Sequence, residues 1–447
     1  MRARRIARIS VDRRALLDRV YLHLSGDDEG RVCRDVPESA CDVQPGNFLK
    51  HVLALGATKT GDGLVDAKLV LPWLLGALGA PAFFTGVLVP IREAGALLPQ
   101  LVTAGSIRAL PVRKTAWALG SLVQGLAVVG MGVAALLLTG AALGWAVTGL
   151  LALLSLARSV CSVAYKDVLG KTVSKSTRGT ATGTASTLAS ALVFVFGALL
   201  ALGWLPLEVG VVAGVLLLAG GLWIVAAAIF VTLAERPGAT EGGGNALAVV
   251  RDQISLLRTD PQLVRFIVVR GLLTSTALAP PFLLALGGRD GGGTGELGLF
   301  VLASSAAAVL STYAWGRLSD VSSRRVLIRS GLVAALPLGV AAGARGLAPA
   351  LLGAPGLLPA LLLVLMVAYQ GVRLGRSTHV VDMADAERRA AYTALSNTIV
   401  GVVLLAASLF GALAAAAGEA VVLGTFAGMS LLAAVLAAGL EEVQAEA

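Results

Sequence analysis

Charge is what this chain has little of. Of its 447 residues only 14% are Asp, Glu, Lys or Arg, against roughly 25% in soluble chains. With 56% hydrophobic residues and a mean hydropathy of +0.83, that scarcity excludes soluble domains over nearly the whole length. It equally excludes a disordered chain, which needs low hydrophobicity and high charge. Histidine is almost missing. His23, His51 and His379 stand far apart, so an intramembrane metalloenzyme lacks the clustered ligands it would need. Three cysteines, Cys33, Cys41 and Cys161, make no disulfide framework. The gap between Cys33 and Cys41 is not a zinc spacing, and these read as reduced thiols. Neither a metal nor another cofactor is expected.

The net charge of +9 does not indicate a nucleic-acid binder. The basic residues are spread along the chain between apolar runs, as in the loops of a polytopic membrane protein. Crossing a bilayer takes about 20 mostly apolar helical residues. Twelve stretches meet that length, at about 49–77, 81–103, 115–138, 142–164, 180–203, 208–233, 262–286, 295–315, 325–345, 356–378, 390–416 and 420–440. The runs are continuous, whereas barrel strands alternate over about ten residues. The fold class expected is therefore all-α membrane protein.

Cations alternate between the loops. Arg108, Arg113 and Lys114 follow the second span, and Lys166, Lys171, Lys175 and Arg178 the fourth. Arg236, Arg251 and Arg258 follow the sixth, Arg317, Arg324 and Arg325 the eighth, and Arg376, Arg388 and Arg389 the tenth. The other loops are short or nearly free of cations, Arg289 and Arg345 excepted. The positive-inside rule puts both termini in the cytoplasm. Residues 1–47 read as a polar, arginine-rich cytoplasmic tail with no signal peptide. Two six-helix halves follow, 48–233 and 261–440, joined by a polar linker at 234–260 and closed by a tail at 441–447.

The halves echo each other. Gly105-Ser-Ile-Arg-Ala-Leu-Pro-Val-Arg-Lys114 follows the second span and Gly316-Arg-Leu-Ser-Asp-Val-Ser-Ser-Arg-Arg325 the eighth. Arg158 precedes Asp167 by the same distance that Arg373 precedes Asp382. Arg178 precedes Ser186 as Arg388 precedes Ser396. Internal repeats of this kind are a transporter signature.

Gly316-Arg-Leu-Ser-Asp320-Val-Ser-Ser-Arg324-Arg325 resembles the loop signature of the major facilitator superfamily, with Ser323 in place of its second glycine. The first-half copy is degraded, with Ala109 where the family has Asp. Leu154-Ser-Leu-Ala-Arg158 resembles the family's fourth-helix arginine motif, and Arg178-Gly-Thr-Ala-Thr-Gly183 the usual start of its fifth helix. The resemblance covers roughly 48–440. It implies two pseudo-symmetric six-helix bundles around a central cavity, rocking between inward- and outward-open states. It also implies a cytoplasmic gate at Gly316, Asp320, Arg324 and Arg325, with Asp320 capping or pairing near a helix end and Arg324 bridging the halves. The Gly-Pro pair common in drug/proton antiporters is missing from the fifth helix.

Ionisable groups inside spans are costly, so each is a candidate site. The first span carries Lys59, Asp62, Asp66 and Lys68. On a helix Lys59, Asp62 and Asp66 fall within about 60° of one face and Lys68 points elsewhere. A buried carboxylate can load and release a proton as its exposure changes, so Asp62 is the first proton-coupling candidate, then Asp66 and Glu93; the alternative for each is a structural ion pair, for Asp62 and Asp66 with Lys59, Lys68 or another helix. Arg92 and Glu93 are neighbours in sequence and point about 100° apart, so they do not simply pair. Arg158, Arg270 and Arg373 are candidates for a substrate or charge-relay role, with Lys59, Arg92 and Asn397. Arg158 equally fits snorkelling to an interface, and for Arg270 and Arg373 snorkelling is the favoured reading. Cations outnumber acids among these groups, which leans toward an anionic solute. Pro72 and Pro90 are expected to interrupt the first two spans.

A phosphate loop at Gly56-Ala-Thr-Lys59-Thr60 fails, since Thr58 replaces the glycine before the lysine. The expectation is a non-enzymatic secondary transporter of the inner membrane. It would move a small solute, coupled to protons, as a monomer in the bilayer with no nucleic-acid partner. Alternatives are a drug or lipid exporter of the same fold, or a sensor or assembly protein that no longer transports.

Overall fold

The computed structural model describes residues 19–22, 43–238, 254–288, 296–384 and 388–444. Cys33, Cys41, His23, Arg251, Arg289, most of the tail 1–47 and residues 239–253 of the linker lie outside the described residues.

The apolar runs form helices because a backbone in hydrocarbon must satisfy its own hydrogen bonds. The first half contains α1 (Gln44–Val65), α2 (Val70–Ala77), α3 (Ala82–Leu97), α4 (Gln100–Arg108), α5 (Lys114–Leu137), α6 (Gly140–Thr172), α7 (Lys175–Ala201) and α8 (Val209–Val231). The second contains α9 (Pro261–Leu272), α10 (Ser275–Leu278), α11 (Pro280–Gly288), α12 (Leu297–Val321), α13 (Ser323–Leu347), α14 (Leu357–Asp382), α15 (Arg389–Ala406), α16 (Leu409–Ala417) and α17 (Glu419–Ala437). Among the described residues nine helices are long and apolar enough to cross a membrane, or up to ten if a bent pair in α12 is one span. The chain is a multi-pass membrane protein. The first two expected spans, α1–α2 and α3–α4, are each in two pieces and carry Lys59, Asp62, Arg92 and Glu93, with Asp66 and Lys68 at the break of the first.

The break in the first span differs from the expected one. Pro72 is the third residue of α2, where a missing N–H costs nothing because it would be an orphan anyway. The chain instead leaves the helix at Asp66. The Asp66 carboxylate accepts from the Lys68 backbone N–H at 2.8 Å, and its carbonyl accepts from the N–H groups of Leu69, Val70 and Leu71. Pro90 lies inside α3 without ending it; the second span breaks at Leu98–Pro99.

Packing repeats between the halves. In the first, α5 packs on α6 and α8, α1 on α7 and α8, and α3 on α6; in the second, α13 packs on α14 and α17, α9 on α15 and α17, and α12 on α14. The halves meet along α7–α12 and along α3 with α15 and α16. The closest approaches of backbone to backbone between the halves cluster at one end. A Cβ on Gly86 would strike the Gly411 backbone, one on Gly298 the backbone of Leu200 and Ala201, and one on Gly197 would come 2.8 Å from the Leu302 nitrogen. That end bears the tight turns, where Gly79 and Gly140 take φ of +71° and +59° and Gly140 N–H bonds Leu78 C=O at 2.9 Å. The cation-rich loops lie at the other end.

Gly61 and Gly63, which flank Asp62, serve packing. A Cβ on Gly61 would come within 2.7 Å of the Trp223 ring, and one on Gly63 would strike Val193. Overpacking a close-packed core costs about 1–3 kcal/mol. Gly61→Leu is therefore expected to lower the melting temperature of the purified protein, with Trp223→Ala in the same chain recovering part of the loss.

Candidate functional site

Asp62 sits in the last turn of α1, just before the break at Asp66, and two arginines from other spans converge on it. Arg92 of α3 donates to Oδ1 at 2.6 Å and Arg158 of α6 donates to Oδ2. The three side chains are 23%, 18% and 34% exposed, so the carboxylate is shared inside the bundle without being sealed. Charge-assisted bonds of this kind are roughly twice as strong as neutral ones. Lys59, one turn before Asp62, donates to the Ser186 hydroxyl of α7 and lies within electrostatic reach of Asp62, Arg158 and Arg373.

A second cluster bridges the halves. Because the helix breaks at Asp66, Lys68 does not follow helical arithmetic. Its ammonium sits 3.6 Å from the centre of the Tyr369 ring on α14, a cation–π contact between halves. Arg373 lies over the same ring at 5.9 Å. Glu93 makes no ion pair among the described residues, and Lys68, Arg92, Arg373 and Arg376 surround it within electrostatic reach. Arg92 and Glu93 do part, as their sequence adjacency requires. Asp66 has a backbone task at the helix break as well as its charge.

The third cluster belongs to the second half. Arg270 of α9 donates to the Ser396 hydroxyl and, at 2.7 Å, to Asn397 Oδ1, both on α15. Its side chain is buried, so snorkelling is not its position. Among the described residues no group of three His, Cys, Asp or Glu is placed to hold a metal.

The loop residues Gly316, Asp320, Arg324 and Arg325 are arranged differently from what the resemblance implies. Helix α12 runs to Val321, so Asp320 is in its last turn and the cap of α13 is Ser322, whose hydroxyl oxygen accepts from Arg325 N–H at 3.1 Å. Asp320 is exposed and makes no ion pair among the described residues. Arg324 donates to Leu440 C=O at 3.1 Å and faces Glu442 at 3.7 Å, within its own half. Gly316 has open space around it. The first-half copy repeats this. Lys114 donates to Leu233 C=O at 2.6 Å, and Glu235 accepts from the backbone N–H of Arg113 at 3.0 Å and of Lys114 at 2.7 Å. Each loop is thus tied to the chain leaving the last span of its half. Sequence reading missed Glu235 and Glu442; the signal was Leu-Ala-Glu235 against Leu-Glu-Glu442. It also missed Arg376 and Tyr369, which carry no motif.

No family model matches the chain, and no curated protein matches it. Solved structures do. A point mutant of the nucleoside transporter NupG superposes with a TM-score of 0.70 at 13% identity, over 88% of this chain and 100% of that one. The D-xylose-proton symporter gives 0.64 at 12% identity, over 89% and 98%. A POT family transporter in complex with a thioalcohol-conjugated peptide gives 0.66 at 8% identity, over 90% and 97%. This chain has the major facilitator fold. At such identities the likeness is one of architecture. In the major facilitator arrangement the three clusters lie on spans one, two, four, five, seven, ten and eleven.

Proposed function

We propose that this protein is a proton-coupled secondary transporter of a small organic anion. The observation that carries the reading is the sharing of Asp62 between Arg92 and Arg158. An ionised Asp62 occupies both guanidinium groups. A protonated Asp62 releases them, and they then attract an anion. Proton and anion therefore bind cooperatively, because each removes what opposes the other. Cooperative loading followed by rocking of the halves carries both across together, as symport.

Cations exceed acids around this point. Lys59, Lys68, Arg92, Arg158, Arg270, Arg373 and Arg376 stand against Asp62, Asp66 and Glu93, and a cationic low-dielectric cleft favours an anion. Solved neighbours include a proton symporter, which agrees with proton coupling. The close approach of the halves at Gly86–Gly411 and Gly298–Leu200, away from the cationic loops, supports an inward-facing arrangement. The cationic-loop end, with both termini, is then cytoplasmic. Asp320 and Arg324, unpaired with each other here, would meet the opposite half when that end closes. Glu93 is the second proton site in this reading, and the protein acts as a monomer in the inner membrane.

The test is reconstitution into proteoliposomes containing a pH-sensitive dye, with an inward-directed proton gradient or none. Labelled mono- and dicarboxylates are supplied outside. Uptake that rises with the gradient and acidifies the lumen supports the reading. Anion uptake indifferent to the gradient would remove the coupling, and uptake of none of these anions would remove the substrate class.

A further inference from the structure

Among the described residues no acid balances Arg270. The Arg270 side chain is buried at 6% exposure. Its two hydrogen-bond partners, Ser396 and Asn397, are neutral. Its Nε is buried with no partner. The charged group within electrostatic reach of it is Arg376, another cation. A buried guanidinium so placed is costly unless an anion completes it. A free N–H on a guanidinium is also the donor that a carboxylate or phosphate would take.

Arg270 has a counterpart in the first half. Lys59 stands about 210 residues before it, and Ser186 about 210 residues before Ser396. Lys59 donates to Ser186 as Arg270 donates to Ser396. In both halves a cation on the first span is held by a neutral hydroxyl from the fifth. The acid within reach of Lys59 is Asp62, and Asp62 is already taken by Arg92 and Arg158.

We propose that the substrate carries two anionic groups and bridges the halves, one group taken by Lys59 with Ser186 beside the Arg92 and Arg158 that a protonated Asp62 releases, and the other by Arg270 with Ser396 and Asn397. The inference rests on the anionic reading above and narrows it to dianions such as dicarboxylates. A monoanion can engage one half at a time. A dianion engages both, so its binding favours the arrangement in which the halves close around it.

The experiment uses the purified full-length protein in detergent. Titration calorimetry compares each dicarboxylate from malonate to glutarate with the monocarboxylate of the same carbon number. The wild type is expected to bind at least one dicarboxylate about tenfold or more tighter than its match. Arg270→Gln should reduce that dicarboxylate to the affinity of the monocarboxylate, and Arg270→Lys should recover part. Lys59→Gln should act alike from the other half. Ser396→Ala leaves the charge in place and should weaken binding several-fold, which keeps the question open to measurement if Arg270→Gln fails to fold. Equal affinities for the two classes, or a dicarboxylate affinity unmoved by Arg270→Gln and Lys59→Gln, would overturn the dianion and leave the anionic reading standing. Binding of neither class by the wild type would overturn both.

Discussion

An Asp62→Asn protein is expected to bind its anion equally well at acid and neutral pH and to lose pH-driven accumulation. In the proposed cycle, protonation of Asp62 frees Arg92 and Arg158 and raises anion affinity. The amide mimics the protonated carboxyl in shape and charge and holds the site permanently in that released state. Each pH unit of gradient can drive about a tenfold accumulation per coupled proton, and that factor should vanish while exchange of labelled for unlabelled anion persists. The variant also leaves two arginines without their acid. Breaking a fully buried pair costs about 3–5 kcal/mol; the partial exposure of these side chains lowers the expected loss to about 1–3 kcal/mol. Bound anion should restore much of it, because the anion replaces the missing carboxylate. Uphill accumulation surviving in Asp62→Asn would take the proton site away from Asp62, and Glu93→Gln would be the next variant to measure.

Gly86→Val should block the cycle by a different route. The nearest neighbour of a Cβ at Gly86 is the Gly411 backbone, which cannot turn aside as a side chain can. The valine therefore holds α3 away from α16 at the end remote from the cationic loops. Flux is expected to fall more than about tenfold, since an interference of only 1.4 kcal/mol already shifts a two-state balance that far. The fold of each half should survive, because the obstruction lies between them. A cysteine placed at Ala414, which is 3% exposed on α16, should stay unreactive toward a membrane-impermeant maleimide in the wild-type background. It should react from the end remote from the cationic loops once Gly86→Val is added. If Ala414→Cys stays protected in the double variant, the end still closes and the glycine contact is not part of the gate.

Much of the architecture was legible in the chain. The apolar runs were long enough to count and the cations alternated between loops. The echoes around Arg158 and Arg373 or Ser186 and Ser396 marked the halves as related. These features are local in sequence, so they can be read one segment at a time. The break in the first span was not legible at the right residue. Proline signals were read at Pro72, yet the chain turns at Asp66, because a proline in the first turn of a helix is harmless and an aspartate can take the freed N–H groups. That shift moved Lys68 from an unassigned face to the Tyr369 ring of the other half. The echo of Ser186 and Ser396 acquired a meaning only when each hydroxyl was seen to hold a cation.

What the sequence determined by itself was the class of molecule and its inventory. The chain crosses the membrane many times in two related halves, and its few intramembrane charges are mostly basic. Hydrophobicity and charge are properties of single residues and short windows, so one strand of text suffices for them. The tertiary structure alone decided who meets whom. Arg92 and Arg158 share Asp62, Arg270 is left with neutral partners, and Gly86 faces Gly411. These are contacts between spans tens to hundreds of residues apart. Their pairing depends on the rotation and depth of whole helices, and those are set by packing summed over every side chain in the bundle.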